Sequence, residues 1–420
     1  MTSQLTADQI TRVKATAPVF AEHGAVITKH FYQRMFKYRP ELKNLFNQTH
    51  QANGSQSDVL ARAVYAYAAN IDNLGALGSA VGRITQKHAS LNIRPEHYPI
   101  VGEHLLASVV EVLGDAVDEA TLEAWRVAYA QLSAIMIGAE AKLYEGAAWS
   151  GYRPFIVARK EVESDEITSF YLTPADAPKE VPLGGAPKEV PQGDGSSVCD
   201  FKPGQFVTVK RYVGELGVNQ PRQYSLSDAP NNQWLRISVK REAGREAVPP
   251  GRLSTLLHDG VEEGAIVEVT APMGDFVLDR TKTTPVVLIS GGVGLTPMVS
   301  MLSTLAAENS KRRVAFVHAC RNGRVHAFKS WLAEIVAQRA NVSRAVFYEE
   351  VRPSDRAGVD YDFIGRLDLA RIAEQAVLPD ADYYLCGPIA FMQVQRQALV
   401  ALGVDPARIH SEVFGTGTLE

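Results

Sequence analysis

The sequence has few of the features that would place it outside ordinary soluble globular proteins. Its three cysteines, Cys199, Cys320 and Cys386, are odd in number and far apart. This arrangement does not form a disulfide framework, and it falls short of the four thiolates that usually hold an iron–sulfur cluster. We therefore expect a reducing, cytoplasmic setting, in which any electron transfer uses other cofactors.

Long hydrophobic runs and blocks of like charge are also missing. Residues 1–10 lack the basic and apolar segments of an export signal, and no apolar run is long enough to span a bilayer. The formal net charge is −4, and Lys and Arg do not gather into a stripe that could neutralise a phosphate backbone. We expect no membrane span and no nucleic-acid partner. A monomer is the default expectation, although the sequence leaves the oligomeric state open.

At 420 residues the chain is too long for one ordinary core, so two or three domains are expected. The first third has helical periodicity. Residues 6–9 (TADQ) have the form of a capping box, and further helices are predicted at 99–113 and 120–145. Because no convincing alternating segment precedes residue 150 or so, this region is predicted to be an all-α domain of globin size.

Three polar residues in these helices occupy positions where apolar ones are expected. His88 continues an apolar stripe, and such a histidine is either a satisfied core residue or a metal ligand. Glu140 shares a face with apolar residues, and a buried carboxylate is costly unless hydrogen bonds are donated to it. Gln56 lies one turn before Leu60, at the edge of an apolar face, where an ordinary helix-start residue is the alternative.

Four segments resemble the globin domain of bacterial and fungal flavohaemoglobins. They are HFYQRMF (30–36), PELKNLFN (40–47), QKHASLNIRPEHYPIVGEHLL (86–106) and GAEAKLY (138–144). The resemblance implies that His88 is the proximal ligand of haem b, with Tyr98 and Glu140 hydrogen-bonded around it. It also assigns to the haem site Phe46, which packs on the haem, Lys87 beside the ligand, and Tyr32, Gln56 and Leu60 on the distal side.

These residue types suit oxygen chemistry. A carboxylate hydrogen-bonded to the far nitrogen of an iron-bound imidazole makes that ligand more electron-donating, which favours oxygen activation over storage. On the other face, the hydroxyl of Tyr32 can donate to bound oxygen, with Gln56 in support. The apolar stretch around Leu60 would also admit a lipid acyl chain.

From Tyr152 the periodicity changes to short β-rich runs separated by Gly and Pro, which predicts a small antiparallel barrel. The runs are 155–162, 167–173, 205–210, 236–242 and 265–270. Since the last helix gives way to small residues at 145–151, we expect a change of domain there. The predicted domains are 1–147, 148–280 and 281–420.

A duplicated nonapeptide at 177–194, APKEVPLGG then APKEVPQGD, lies within a predicted loop insertion at 175–197. Two copies are too few for a repeat architecture, and the composition favours a solvated loop. A partner-binding segment is the alternative.

Inside the predicted barrel, PRQYSLS (221–227) resembles the flavin signature of ferredoxin-reductase-like enzymes. The resemblance implies that Arg222 meets the FAD pyrophosphate, Tyr224 packs on the isoalloxazine and Ser225 hydrogen-bonds near its reactive nitrogen. A cross-strand Arg–Tyr pair is the structural alternative. The residues assigned to FAD are Phe206, Arg222, Gln223, Tyr224, Ser225 and Ser254, the last at a helix start whose amides are available to phosphate.

A buried strand (285–290), a glycine turn (291–297) and a helix (298–308) follow, as in dinucleotide-binding domains. Further strands are predicted at 313–319, 344–350 and 381–388. The residues assigned to NADH or NADPH are Gly291, Gly292, Val293, Gly294, Leu295, Thr296 and Pro297 in the turn, and Cys386, Gly387 and Pro388 near the nicotinamide. Arg321 and Arg324 could receive a 2′-phosphate or be ordinary surface charges, so the choice of nucleotide stays open.

The segment HSEVFGTGTLE (410–420) resembles the closing segment of the same family. By that resemblance Phe414 lies near the flavin and Glu412 near the path from flavin to haem. A proline usually follows the Phe-Gly pair in the family, and Thr416 stands there instead. The cofactor-site residues assigned from this segment are Glu412, Val413, Phe414, Gly415 and Thr416.

The resemblance as a whole implies a multidomain protein with an all-α globin domain, an antiparallel β-barrel FAD-binding domain and an α/β Rossmann-like NAD(P)-binding domain. The implied activity is that of a nitric oxide dioxygenase, in which NAD(P)H reduces FAD, FAD reduces haem b, and oxygen reacts with nitric oxide to give nitrate. Two other classes stay open. One is an oxygen-binding or sensing globin whose reductase keeps the iron ferrous, and the other is a flavin-dependent hydroperoxide or ferric reductase.

Overall fold

The computed structural model describes residues 4–52, 54–176, 199–244 and 249–415. The duplicated nonapeptide at 177–194 and Thr416 lie outside the described residues. The chain divides into two compact units, one made of Met1–Tyr152 with Thr208–Arg222 and the other of Arg153–Val207 with Gln223–Glu420. The three-domain division proposed from the sequence stays a prediction.

The described part of the first unit contains seven α-helices. They are α1 (Ala7–Ala15), α2 (Ala17–Tyr38), α3 (Gln48–Ala52), α4 (Ser55–Ala69), α5 (Gly78–Ser90), α6 (His97–Leu113) and α7 (Glu119–Glu145). The predicted capping box begins α1, since Thr6 accepts from the Gln9 amide at 3.2 Å and donates its own amide to Gln9 Oε1 at 2.9 Å. Buried apolar side chains of α1, α2, α4, α6 and α7 share one core, which includes Ile27, Phe31 and Met35.

Small residues bring α2 and α4 close together. A Cβ atom placed on Gly24 of α2 would lie 3.3 Å from Cβ of Ala61 in α4. Farther along the same contact, the Thr28 hydroxyl donates to the Ser57 carbonyl at 2.9 Å. The bond satisfies two buried polar groups and fixes the register of the two helices.

Six strands form the first sheet in the order β4-β3-β6-β1-β2-β5. They are β1 (Tyr152–Val162), β2 (Ile167–Pro174), β3 (Phe206–Val213), β4 (Val218–Ser225), β5 (Leu235–Lys240) and β6 (Ile266–Thr270), with α8 (Arg252–Gly260) between β5 and β6 in sequence. Strand β2 is antiparallel to both β1 and β5. Leu226, directly after β4, forms an antiparallel bridge with Ile237 of β5. The two edge strands therefore meet, which closes the sheet into a barrel.

The second sheet has the order β10-β9-β8-β7-β11-β12, and each of its strand pairs is parallel. Its strands are β7 (Val286–Gly291), β8 (Val314–Cys320), β9 (Val342–Tyr348), β10 (Phe363–Ile364), β11 (Asp382–Cys386) and β12 (Ile409–Glu412). The helices of this part are α9 (Leu295–Ala307), α10 (Lys329–Gln338), α11 (Ala373–Ala376) and α12 (Ile389–Ala401). The order places β7 at the point where the winding reverses, as in doubly wound nucleotide-binding domains.

The predicted strands agree with the observed ones to within a few residues, and three others were not predicted. Strand β4 contains Pro221, which lacks an amide for sheet pairing and argues against a strand. Strand β10 has only two residues, and β12 has polar residues at three of its four positions. None of the helices in the described part of the chain has the length and hydropathy needed to cross a membrane.

Gly204 should be essential for the stability of the barrel. Its φ is +106°, and a Cβ atom there would lie 2.0 Å from the Phe276 carbonyl oxygen and 2.7 Å from Cε of Met301. We expect Gly204→Ala to lower the free energy of unfolding by about 3–5 kcal/mol, from backbone strain and overpacking together. Chemical denaturation followed by near-ultraviolet circular dichroism measures this loss.

Gly264 provides the matched control for this substitution. Its φ is also positive, +88°, but no atom lies within 4 Å of an added Cβ. Gly264→Ala should therefore cost only the backbone term of about 1 kcal/mol. Equal losses in the free energy of unfolding of the two variants would show that steric contact at Gly204 does not contribute to the loss of stability.

Candidate functional site

Three of the residues assigned to the haem site meet inside the helical unit. His88 lies in α5, Tyr98 at the start of α6 and Glu140 in α7. Oε1 of Glu140 is 2.9 Å from Nδ1 of His88 and 2.5 Å from the Tyr98 hydroxyl. Glu140 is only 2 % exposed. Because a carboxylate can only accept, both partners must donate to it, and they offset the cost of burying its charge.

This contact fixes which imidazole nitrogen of His88 is available to a ligand. With Nδ1–H directed at Glu140, the lone pair of the neutral ring lies on Nε2. No side chain among the described residues pairs with Nε2, and the His88 side chain is 35 % exposed. Within the described ranges there is also no cluster of three or more acidic, His or Cys side chains that could hold a bare metal ion. His88 therefore suits an iron whose other ligands come from a porphyrin.

Tyr98 is kept in its neutral, donating form. Burial raises the pKa of its hydroxyl, and the hydrogen bond and charge of Glu140 raise it further. Its backbone is also fixed, because the Tyr129 hydroxyl donates to the Tyr98 carbonyl at 2.7 Å. The Tyr129 ring lies against Gly102, where a Cβ atom would be 2.4 Å from the ring. No pattern in the sequence indicated this contact of Tyr129.

On the other side of the helical core, Tyr32 of α2 contacts Phe46. Their ring centroids are 5.7 Å apart, and Phe46 also lies 5.4 Å from the ring of Phe36. Burial raises the pKa of Tyr32, and hydrogen bonds with Gln56 and Gln51 partly oppose that rise. The structure thus brings Tyr32, Gln56 and Phe46 together and adds Gln51, which the sequence did not indicate. Leu60 packs against the same core, and Lys87 is half-buried beside His88.

The strand that holds the flavin signature also contacts the segment around Phe46. Gln220 is fully buried, and its Oε1 accepts from the Gln48 amide at 3.1 Å while its Nε2 donates to the Phe46 carbonyl at 3.4 Å. Nη1 of Arg222 donates to the same Gln220 oxygen at 3.3 Å. One side chain therefore connects a residue assigned to FAD with the segment next to Tyr32.

Other residues assigned to FAD lie in the second unit. Phe206 of β3 exchanges backbone hydrogen bonds with Met273, at 2.9 and 2.8 Å. The amide of Leu226 donates to the Gln205 carbonyl at 2.9 Å, so Ser225 and Phe206 lie close on neighbouring segments. Ser225 is buried, and Gln223 and Tyr224 are half-buried. Ser254 is in the first turn of α8, with its hydroxyl on the Gly251 carbonyl at 3.1 Å.

The glycine turn and the Cys386-Gly387-Pro388 loop meet at the carboxyl edge of the parallel sheet. Ser290 of β7 is paired with Cys386 of β11. A Cβ atom on Gly294 would lie 2.4 Å from the Cys386 carbonyl oxygen, and one on Gly387 would lie 3.1 Å from the Gly291 amide nitrogen. Because this edge lies at the reversal of strand order, it is where doubly wound folds bind nucleotides. The remaining residues of the turn, Val293, Leu295, Thr296 and Pro297, lie at the start of α9 or just before it.

The closing segment reaches the same edge. Glu412 of β12 is paired with Cys386, and burial together with the Glu412 charge raises the pKa of that thiol. Val413 packs on the core beneath the sheet, whereas Phe414 is 39 % exposed. Gly415 has a φ of +91° and is the last described residue.

The chain matches two family models, the globin family over residues 29–136 and the oxidoreductase NAD-binding domain over residues 288–397. It is 54 % identical over 411 residues to a flavohaemoprotein of Bordetella pertussis, covering 96 % of this chain and 97 % of the relative. A flavohaemoprotein of Rhizobium meliloti is 50 % identical over 408 residues, with 96 % of each chain covered.

The solved structures that are similar to this one include the following two. The crystal structure of a flavohaemoglobin from Malassezia yamatoensis, with bound FAD and haem, has a TM-score of 0.82 at 27 % identity, covering 98 % of this chain and all of that one. The FAD- and NAD-binding domain of a nitric oxide dioxygenase from Vibrio cholerae has a TM-score of 0.52 at 40 % identity, covering 63 % of this chain and 98 % of that one. These matches confirm the predicted fold class.

Proposed function

This chain belongs to the flavohaemoprotein family, and from that premise we propose that it is an NAD(P)H-dependent nitric oxide dioxygenase. Each reduced nicotinamide gives the two electrons with which two molecules of nitric oxide and two of oxygen become two nitrate ions, leaving the oxidised nucleotide and one proton. When bound, haem b supplies the iron that takes up oxygen, and FAD passes the electrons of a hydride on one at a time. The activity named for the Vibrio cholerae relative supports the proposal.

The contact of Glu140 with His88 favours oxygen activation over storage. The carboxylate fixes the imidazole tautomer and makes the ring more electron-donating. Its charge is screened little by water because Glu140 is almost fully buried. Tyr98 shares the carboxylate and holds it in place. A simple oxygen carrier has no need of such a ligand environment.

On the distal side, Tyr32 is the residue that donates to the reacting group. Because burial raises the pKa of its hydroxyl, the proton stays on the oxygen throughout the physiological range. Leu60 and Phe46 supply an apolar lining suited to small uncharged gases. A preorganised donor in such surroundings stabilises developing negative charge better than water does.

Electrons enter without an iron–sulfur relay. The three cysteines are free and buried, and they are fewer than the four thiolates that usually hold an iron–sulfur cluster. The strand with the flavin signature is instead hydrogen-bonded through Gln220 to the Phe46 carbonyl. This contact supports direct transfer from FAD to haem. We place the protein in the cytoplasm, where NAD(P)H is supplied and thiols stay reduced.

Replacing Tyr32 should slow the reaction with nitric oxide without loss of bound haem. We expect Tyr32→Phe to reduce the rate of nitric oxide consumption about 10- to 100-fold, the effect of losing one hydrogen bond to a charged group. Haem content should be unchanged, because the ring and its packing remain. Stopped-flow mixing of the oxygenated protein with nitric oxide measures the rate.

Tyr65→Phe is the matched control for this experiment, because Tyr65 is an exposed tyrosine of α4, and its rate should equal that of the unmodified protein. An unchanged rate of nitric oxide consumption in Tyr32→Phe would count against the proposed role of Tyr32 as a hydrogen-bond donor. The two other functional classes give different results. A carrier or sensor would form no nitrate, and a flavin reductase would keep its main activity in His88→Ala.

We further infer that NADH is the preferred nucleotide. Arg321 and Arg324 follow β8, where a cation could bind a 2′-phosphate. Each is already paired with a carboxylate from the turn between β1 and β2, Arg321 with Glu166 and Arg324 with Asp165. Two neutralised cations with carboxylates alongside favour the uncharged diol of NADH over the dianionic phosphate of NADPH.

The value of kcat/KM should accordingly be higher for NADH than for NADPH. Removing both carboxylates, in the double variant Asp165→Asn with Glu166→Gln, should raise kcat/KM for NADPH by up to about thirtyfold, since the two exposed ion pairs contribute up to about 1 kcal/mol each. Glu334 is exposed on α10, and the control variant Glu334→Gln should leave kcat/KM unchanged for both NADH and NADPH. Equal use of both nucleotides by the unmodified protein would contradict this inference.

A further inference from the structure

We propose that Tyr144 is a positioning residue of the proximal haem site. Its hydroxyl fixes the loop that follows His88, and so holds the imidazole of His88 in its hydrogen bond to Glu140. That His88 binds iron is part of the proposed function, on which this inference rests. Tyr144 lies in α7, one turn after Glu140 and on the same face of the helix.

The loop begins with a Schellman motif at the end of α5. The amide of Ile93 donates to the His88 carbonyl at 3.0 Å. The amide of Asn92 donates to the Ala89 carbonyl, also at 3.0 Å. This is the bond pattern of that motif, and Asn92 has the left-handed backbone that the motif requires, with a φ of +58°. The backbone of His88 is therefore joined to that of Ile93, and a movement of Ile93 is transmitted to His88.

The peptide group between Ile93 and Arg94 is hydrogen-bonded at both ends. The Tyr144 hydroxyl donates to its carbonyl at 2.6 Å, and its N–H donates to Nδ1 of His97 at 3.0 Å. Burial lowers the pKa of His97, so the ring stays neutral and can accept this bond. His97 is the first residue of α6 and directly precedes Tyr98. Since this peptide group cannot rotate without losing a hydrogen bond, it fixes the loop between α5 and α6.

Tyr144 is itself held in its donating form. Burial raises the pKa of its hydroxyl, and the charge of Glu140 raises it further, so the phenol stays protonated. The guanidinium of Arg94 lies 5.1 Å from the centroid of its ring and donates to Oγ of Ser150 at 3.1 Å. The ring and the hydroxyl therefore contact the loop separately, and the substitution Tyr144→Phe removes only the contact of the hydroxyl.

The position of this loop matters because it determines how the ring of His88 faces Glu140. Nδ1 of His88 is 2.9 Å from Oε1 of Glu140. Since a hydrogen bond weakens steeply as it bends, a loop that lets the ring of His88 turn would make the imidazole a weaker electron donor. Glu140 thus supplies the charge that tunes the ligand, whereas Tyr144 keeps the ligand in the orientation that uses this charge.

The substitution Tyr144→Phe tests this role. The probe is the iron–histidine stretching band of the ferrous holoprotein in resonance Raman spectra, because it reports how strongly the imidazole donates to iron without any reaction with nitric oxide. We expect the band to broaden and move to lower frequency, and the reduction potential of the haem to become more positive. Transfer of haem to apomyoglobin should become about 2- to 10-fold faster, the effect of losing one hydrogen bond.

Tyr67→Phe is the matched control. The buried Tyr67 hydroxyl also donates to a backbone carbonyl of the helical unit, that of Ala128 in α7 at 2.8 Å. Ala128 lies about three turns before Glu140 and outside the loop. The control therefore loses the same kind of bond and a similar amount of stability, but its band and its reduction potential should match those of the unmodified protein.

A double variant shows whether Tyr144 acts through Glu140. The substitution Glu140→Gln removes the charge that makes His88 more electron-donating, so its band should also move to lower frequency. If Tyr144 acts through this contact, adding Tyr144→Phe to Glu140→Gln should move the band less than Tyr144→Phe moves it alone. Equal shifts in the two backgrounds would overturn the assignment.

An unmoved band and potential in Tyr144→Phe, or the same shift in Tyr67→Phe, would also overturn it. If Tyr144→Phe retains too little haem to give a band, hydrogen exchange of the Asn92 and Ile93 amides decides: faster exchange than in Tyr67→Phe supports the proposal, and equal exchange overturns it. A protein that forms no nitrate would refute the proposed function, while the band still decides the role of Tyr144.

Discussion

The buried carboxylate of Glu140 is the constraint on which the helical unit depends. At 2 % exposure its charge needs donated hydrogen bonds, and these come from His88 and Tyr98 on two other helices. Three helices must therefore meet at one oxygen atom. The same contact leaves only Nε2 of His88 available to iron. The packing of the unit and the chemistry of its ligand thus have one physical cause.

On the distal side the constraint is burial. It raises the pKa of the Tyr32 hydroxyl and keeps that group neutral, while Nε2 of Gln51 donates to Oε1 of Gln56 at 2.8 Å. Gln220 then connects the pocket to the strand with the flavin signature through the Phe46 carbonyl and the Gln48 amide. In the second unit, close backbone approach at Gly294 joins the glycine turn to the Cys386 loop. Each cofactor assigned to the chain therefore has a set of residues whose geometry follows from local packing.

The sequence predicts those parts of the site in which a residue conflicts with its surroundings. His88 and Glu140 interrupt apolar helical faces, and Gly294 lies between a buried strand and a helix, so each could be recognised. Gln51 could not, because a five-residue helix has no periodicity from which a polar residue could stand out. Asp165 and Glu166 were also missed, since their partners are more than 150 residues away in sequence and ion pairs leave no local pattern. The sequence could supply the residue types but not the contacts that orient them.

Turnover with isotope-labelled oxygen shows whether both atoms of one oxygen molecule are transferred to nitric oxide. The holoprotein, shown by its absorption spectrum to contain haem and flavin, is given NADH, nitric oxide and ¹⁸O₂. We expect nitrate that contains both atoms of the labelled oxygen, with two nitric oxide molecules consumed for each NADH. Nitrous oxide as the main product, nitrate without the label, or a purified protein that takes up neither haem nor flavin would contradict it.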